Sequence, residues 1–370
     1  MSKVFGICNL HDSPHLAKLT EKRTIGTVSF LGRYGLMDFP LSNFSNSGID
    51  RVGILVESSL HSVISHVKDG SIWINNTKTG IQRIFYNENV PSPKFNTDIN
   101  NLLANFSNFQ KEAADYVIVA PSFFLMSIDF REYLDKHIAS GNQISLIYKK
   151  IDNADQEFLN CDVIEIKKGL VNKFSINRGG NKEADISLEI FIFNFQTFVN
   201  LVNKSRDIST MFNIRDLVNY CVRYKLHDLN AFPFDGYVAP ILTFNDFVKY
   251  SMNLLSYECR KQLFKEDWPI YTTTHNTPPA KYGTKAKVNN SFVANGSIVK
   301  GTVLNSVISR DVIIEEGAVV EDCILYSGTK VGKNTHLQYV VSDKDVNFSE
   351  IKDVSGEKDQ FIYISRGANI

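Results

Sequence analysis

The sequence predicts two parts: an α/β domain with a mostly parallel sheet, then a parallel β-helix built from hexapeptide repeats. Three observations carry this. Val307, Ile313, Val319, Leu325, Val331 and Leu337 recur at an unbroken spacing of six, and Phe292, Ile298 and Leu304 keep that spacing in an earlier phase. Neither a helix nor a plain strand has that period; a six-residue repeat marks a coil made of one short strand and one turn per hexad. Before it, short apolar runs alternate with helix-period segments over about 260 residues, the pattern of an α/β domain. At 370 residues the chain also exceeds one ordinary core. The expected division is an α/β domain over 1–265, a linker over 266–284 and the β-helix over 285–370.

Val4 to Cys8 is an apolar run and reads as the first buried strand, followed by a polar loop from Asn9 to Lys18. Asn46 to Gly48 reads as a turn, Arg51 to Val56 as a strand and Leu60 to Val67 as a helix. Residues 70–110 are polar and Asn-rich, with Pro91 and Pro93, and read as a long, lid-like surface excursion. Tyr116 to Ala120 and Ile144 to Tyr148 read as strands flanking a helix from Phe130 to Ile138 that stops at Gly141. Val163 to Ile166 and Leu170 to Phe174 form a hairpin through Lys168-Gly169. Leu188 to Phe193 reads as a strand and Ile214 to Tyr224 as a helix. A single long helix is expected over Asp246 to Phe264, with Val248, Met252, Leu255, Cys259 and Leu263 on one face. Nine hexad positions imply about three coils, with Gly296, Gly317, Gly328 and Gly332 at corners that need φ > 0. The tail becomes strand-like at Phe361 to Ser365.

Lys+Arg and Asp+Glu both number 40. A neutral chain argues against general attraction to nucleic acid or anionic lipid, while leaving room for a local basic pocket. Five scattered cysteines without CxxC spacing suggest neither a disulfide frame nor a zinc site. No signal-like leader stands at Met1 to Asn9 and no run approaches a membrane span, so a cytoplasmic protein is expected.

Gly32-Arg33-Tyr34, Met37-Asp38-Phe39-Pro40-Leu41-Ser42-Asn43 and Asn46-Ser47-Gly48-Ile49 together resemble the GGKxRxIDFxLSNxxNSGI stretch of bacterial glucose-1-phosphate adenylyltransferases. Asp267-Trp268-Pro269-Ile270 and Pro278-Pro279-Ala280-Lys281 resemble that family's linker. The resemblance covers essentially the whole chain. It implies a Rossmann-like nucleotidyltransferase domain carrying a left-handed β-helix. The family joins ATP and glucose 1-phosphate, releasing pyrophosphate and ADP-glucose for glycogen synthesis. That chemistry needs metal, backbone amides around the triphosphate and cations on the transferring group.

The chain departs from the family where the chemistry is done. The glycine-rich GGxGTR loop falls on Leu10, His11, Asp12, Ser13, Pro14 and His15, where no glycine stands. Ile25 takes the place of the lysine in RAKP. Ser122 takes that of the metal-binding aspartate in GDH, and Pro240 that of the second, in RDVGT. Asn177 takes the place of the sugar-phosphate lysine in EKP. Mg²⁺ needs carboxylates plus phosphate oxygens, and groups that act together fail together. The expectation is therefore a chain with absent or very weak adenylyltransferase activity, no catalytic residues, and no metal or cofactor of its own, Mg²⁺ being held by a catalytic partner. It resembles the regulatory, non-catalytic subunit of this enzyme, which would act in a hetero-oligomer, a tetramer by family resemblance, with the catalytic subunit.

Lys22 and Arg23 match a basic pair that binds anionic activators in catalytic relatives. With Arg33 they are candidates for an anionic sugar-phosphate effector; the plainer reading is solvated surface charge. His11 and His15 read as loop histidines, since a zinc site needs a third ligand. Asp38 reads as a brace for the turn before the next helix, and Thr243 and Asp216 as structural. The competing readings are an active adenylyltransferase using Asp12 and Asp98 as atypical metal ligands, a hexapeptide-repeat acyltransferase with His336 as base, and a free sugar-phosphate sensor.

Overall fold

The computed structural model describes residues 2–370 except 77 and 79, which fall within the polar 70–110 stretch. Among the described residues the first domain is built on a nine-stranded sheet. Its order is Ile81–Tyr86, Arg51–Val56, Val4–Asn9, Tyr116–Pro121, Ala184–Asn194, Ile144–Ile151, Leu229–Pro233, Leu170–Ile176 and Asp162–Lys167. The first four are parallel. Ala184–Asn194 runs against both its neighbours, and the 162–176 hairpin adds antiparallel pairs at the far edge. Helices on the two faces enclose two apolar cores, one rich in Phe44, Phe130 and Phe247, the other in Phe5, Phe109 and Phe198.

The 70–110 stretch is not a loose excursion. It carries the edge strand Ile81–Tyr86 and the helices Asp98–Ala104 and Phe106–Gln110, and it buries Trp73, Phe85, Ile99, Leu102 and Phe109. Its asparagines are structural donors: Asn101 Nδ2 bonds Val56 O and Phe85 O, and Asn105 Nδ2 bonds Tyr86 O. The predicted long helix is broken. Phe244–Asn253 ends with Leu254 and Leu255 turned into the core, and Tyr257–Leu263 restarts after Ser256 in extended conformation. The sequence raised no expectation for the helix Phe195–Ile208 or the strand Leu229–Pro233.

The second domain is a left-handed parallel β-helix of five coils rather than three. Three five-stranded parallel sheets form its faces, and the first strand, Lys281–Tyr282, already lies within the segment read as linker. The six-residue spacing hid a slip. Ile308, Leu325 and Ser342 stack in register, so a coil there takes 17 residues, not three full hexads. The missing residue is absorbed at corners where Asn305, Asp322 and Tyr339 take φ of 45, 49 and 53°. Hence Ile308, Ile314 and Val320 fill the interior with Leu325, Val331 and Leu337, while Val307 faces outward. Gly296, Gly317 and Gly328 have φ > 0 as expected, but Gly332 does not. At Gly317, φ 72° strains any other residue, and a Cβ there would stand 2.0 Å from the Asn334 Oδ1 of the next coil, so a side chain would also have to displace that amide.

One face of the β-helix lies on the first domain. Val307, Ile324 and Val341 stack outward along it and are buried in the first domain's core. Each such side chain contributes about 1.5–3 kcal/mol by burial. Gly32, at φ 71°, brings a hairpin from the first domain against this surface; a Cβ there would sit 2.9 Å from Ile308 O.

Candidate functional site

The carboxyl ends of the parallel strands are where such sheets bind ligands. Here that place is closed. Leu10 is buried, and its Cδ2 lies 2.7 Å from where a Cβ on Gly26 would stand, so it packs beside Ile25, itself buried in the same core. The loop is held shut by polar bonds as well. Asn101 Nδ2 donates to His11 Nε2 at 3.0 Å, and His11 Nδ1 faces Asn96 O at 3.4 Å. Burial lowers the His11 pKa to about 4, so the ring is neutral and one nitrogen is free to accept. Ser13 and His15 are occupied locally, with His11 O and Thr20 Oγ1.

Beyond the loop, Asn9, His11, Asp12, Asp98, Glu189 and Arg215 surround a space of only about 10 Å³. Small-molecule pockets run to ~300–1,000 Å³. Arg215 fills it, lying 3.3 Å from Asp12, 3.5 Å from Glu189 and 3.7 Å from Asp162. Asp98 accepts from Asn9 Nδ2 at 2.7 Å and from the Ile214 amide at 2.8 Å. Burial raises Asp98 to about 7 against the hydrogen bonds it accepts from Asn9 and the Ile214 amide, and burial raises Glu189 to about 8, with Arg215 opposing and Asp12 and Asp162 reinforcing that shift. A nucleotide triphosphate would meet an acidic, filled space.

The remaining family positions are equally committed. Ser122 is fully buried and, among the described residues, its Oγ has no hydrogen-bond partner. Pro240 is buried in a short strand pairing Phe124. Asn177 is turned into the structure: Nδ2 lies 2.8, 3.1 and 3.0 Å from the carbonyls of Ala154, Glu157 and Phe158, and Oδ1 accepts from the Gly179 amide at 3.0 Å. Mg²⁺ does not fit this donor set. Ser122 and Pro240 offer no carboxylate, Asp12 and Asp98 are already engaged, and among the described residues no group of three or more His, Cys, Asp or Glu is placed to hold a metal. Asp38, Thr243 and Asp216 are structural. Asp38 is buried, accepts from the Gly35 amide at 2.8 Å and pairs with His66 at 2.5 Å; Thr243 and Asp216 cap helices. His336, partly exposed, sits near Glu321 and Asp353 at 3.8 and 3.6 Å.

The open cleft lies elsewhere, between the first domain and the β-helix. It encloses about 560 Å³, and Lys22, Arg23 and Arg33 all line it. The structure adds Arg310, Lys344 and Arg366, which the sequence reading missed, together with His61, His66 and His275. No local signal marks those added cations; chain positions far apart meet only through the docking of the two domains. Among the described residues Asp311 is the acid on the lining. Burial and neighbouring Arg23 and Arg366 hold Lys344 below the ordinary lysine range, and burial with nearby Arg33 lowers Arg310. Crowded, partly desolvated cations of this kind are relieved by a bound anion.

Residues 14–233 match the family model described as nucleotidyl transferase, and residues 278–360 match GlmU-like, C-terminal hexapeptide. The chain is similar along most of its length to curated glucose-1-phosphate adenylyltransferases. That of Corynebacterium glutamicum (strain R) is 29% identical over 352 residues, covering 87% of this chain and 84% of the relative. That of Bacillus thuringiensis (strain Al Hakam) is 26% identical over 374 residues, covering 95% of each, and that of Bacillus anthracis is 25% identical over the same shares.

Proposed function

The chain belongs to the nucleotidyl transferase family, and from that premise we propose that it is a non-catalytic, regulatory subunit of glucose-1-phosphate adenylyltransferase in glycogen biosynthesis. It performs no adenylyl transfer itself. It assembles with a catalytic chain, as a tetramer, and tunes that chain's activity; an anionic sugar phosphate in the interdomain cleft is its effector.

The observation that carries this reading is the fate of the positions that matter for the chemistry. Ile25 is core, Ser122 is sealed, Asn177 knits the 154–158 turn, Pro240 is strand, and Arg215 with its carboxylates occupies the end of the first strand. A fold that keeps its frame while filling its nucleotide cleft retains its surfaces and its basic interdomain cleft. Such a subunit alters its partner only by binding one state better than another, with a coupling of ~1–3 kcal/mol. Co-expression with a catalytic relative, followed by sizing and steady-state kinetics, tests this. The expected result is one mixed species whose apparent substrate or activator affinity differs several-fold from that of the catalytic chain alone. Two chains that elute separately and leave the kinetics unchanged would overturn it.

A further inference from the structure

Arg23 is not a free cation. Its Nη2 lies 2.7 Å from both carboxylate oxygens of Asp343, a residue 320 positions later in the chain. Asp343 is itself buried, accepts the Lys344 amide at 2.7 Å and the Tyr363 hydroxyl at 2.7 Å, and so is held rigidly. Burial opposes the Arg23 charge, but the Asp343 hydrogen bond and charge outweigh it and raise the pKa. The other guanidinium end, Nη1, is buried without a hydrogen-bond partner among the described residues. Arg23 therefore reaches the cleft with Nη2 spent on an internal acid and Nη1 turned inward.

We propose that Asp343 is a built-in anion that competes with the effector for Arg23, and that the Arg23–Asp343 pair sets the affinity and charge selectivity of the cleft. This rests on the anion-binding reading of the cleft given above. Asp343 lies buried behind the lining, against Arg23 and the Lys344 amide, and its carboxylate offsets one unit of positive charge beside the cleft that Lys22, Lys344 and Arg366 line. Only a ligand with enough negative charge, such as a phosphate ester, draws Arg23 away from it. Because Arg23 belongs to the first domain and Asp343 to the β-helix, that exchange also releases a link between the two, which gives the ligand differential affinity for two arrangements.

The test is calorimetric titration of the full chain with inorganic phosphate. Asp343→Asn, which keeps the shape and the amide bond from Lys344, is expected to bind phosphate about tenfold more tightly, equivalent to about 1.4 kcal/mol. Adding Arg23→Gln to that variant should remove the gain. Tyr363→Phe, which frees Asp343 of one bond without changing charge, should weaken phosphate binding, since the carboxylate then leans more fully on Arg23; it also serves if Asp343→Asn folds poorly. Equal affinity in the parent and Asp343→Asn, with Arg310→Gln weakening both, would overturn competition while leaving the cleft an anion site. Binding only in Asp343→Asn, dependent on Arg23, would uphold competition and show that the parent cleft is self-occupied. Binding in neither would overturn both.

Discussion

Placing a lysine at position 177, where the resemblance puts the family's sugar-phosphate lysine, tests whether that end of the cleft has merely lost a charge or been rebuilt. In the structure Asn177 is buried and its amide holds the carbonyls of Ala154, Glu157 and Phe158 while accepting the Gly179 amide. Asn177→Ala leaves these groups without that partner; two amide hydrogens and one accepting oxygen make three bonds, and at ~0.5–1.5 kcal/mol net for each the loss is ~1.5–4.5 kcal/mol. Asn177→Lys loses the same bonds and must also bury or expel an ammonium, which raises the cost to ~3–5 kcal/mol. With a urea dependence of about 3 kcal/mol per M, the midpoint falls by about 1 M or more. Urea unfolding followed by tryptophan fluorescence reads the stability, and calorimetry with glucose 1-phosphate reads the site. The expected result is a destabilised variant that binds no glucose 1-phosphate. A variant as stable as the parent that gains glucose 1-phosphate binding would refute the reasoning, because the cleft would then be intact and short of one cation only.

Other outcomes follow from the same geometry. Ser122→Asp, which places a carboxylate where the resemblance puts the family's metal aspartate, should destabilise by several kcal/mol because the site is sealed, whereas Ser122→Ala should be neutral or stabilise by ~1 kcal/mol by removing an orphaned hydroxyl; urea midpoints decide. Asp98 and Glu189 have folded pKa values raised to about 7 and about 8. The folded state therefore holds their protons more tightly than the unfolded chain, and stability falls as pH rises from about 4 to about 8, by on the order of a few kcal/mol. Asp98→Asn with Glu189→Gln should flatten that slope, while His11, lowered to about 4, acts in the opposite sense below about pH 6.5. Gly32→Ala should loosen the seating of the first domain on the β-helix, at ~1–3 kcal/mol for its positive φ and its contact with Ile308 O, and should show as faster proteolysis between the domains.

Much of the fold was legible because single elements obey single rules. Arg51–Val56 and Leu60–Val67 appear with the bounds their patterns suggest, and Lys168-Gly169 turns the hairpin with φ of 53 and 81°. What was misread has a physical cause. Six aliphatic residues at spacing six looked like one inward column, but the corner at Asp322 drops a residue, so Leu325 fills the interior whereas in the preceding strand Val320, not Val319, does. The Asn-rich 70–110 stretch looked solvated because composition alone does not reveal that Asn101 and Asn105 spend their amides on backbone carbonyls. At the cleft, Lys22, Arg23 and Arg33 could be named from the sequence. Arg310, Lys344 and Arg366 could not, nor could the pairing of Arg23 with Asp343, since only the docked β-helix brings them near.

The most direct test is the lone chain itself, incubated with ATP, glucose 1-phosphate and Mg²⁺ and assayed for ADP-glucose. If Ser122 and Pro240 stand where the resemblance puts the two metal carboxylates, and with Arg215 lodged among acids at the end of the first strand, product should not rise above the enzyme-free blank. Sustained turnover by the purified chain would contradict the account.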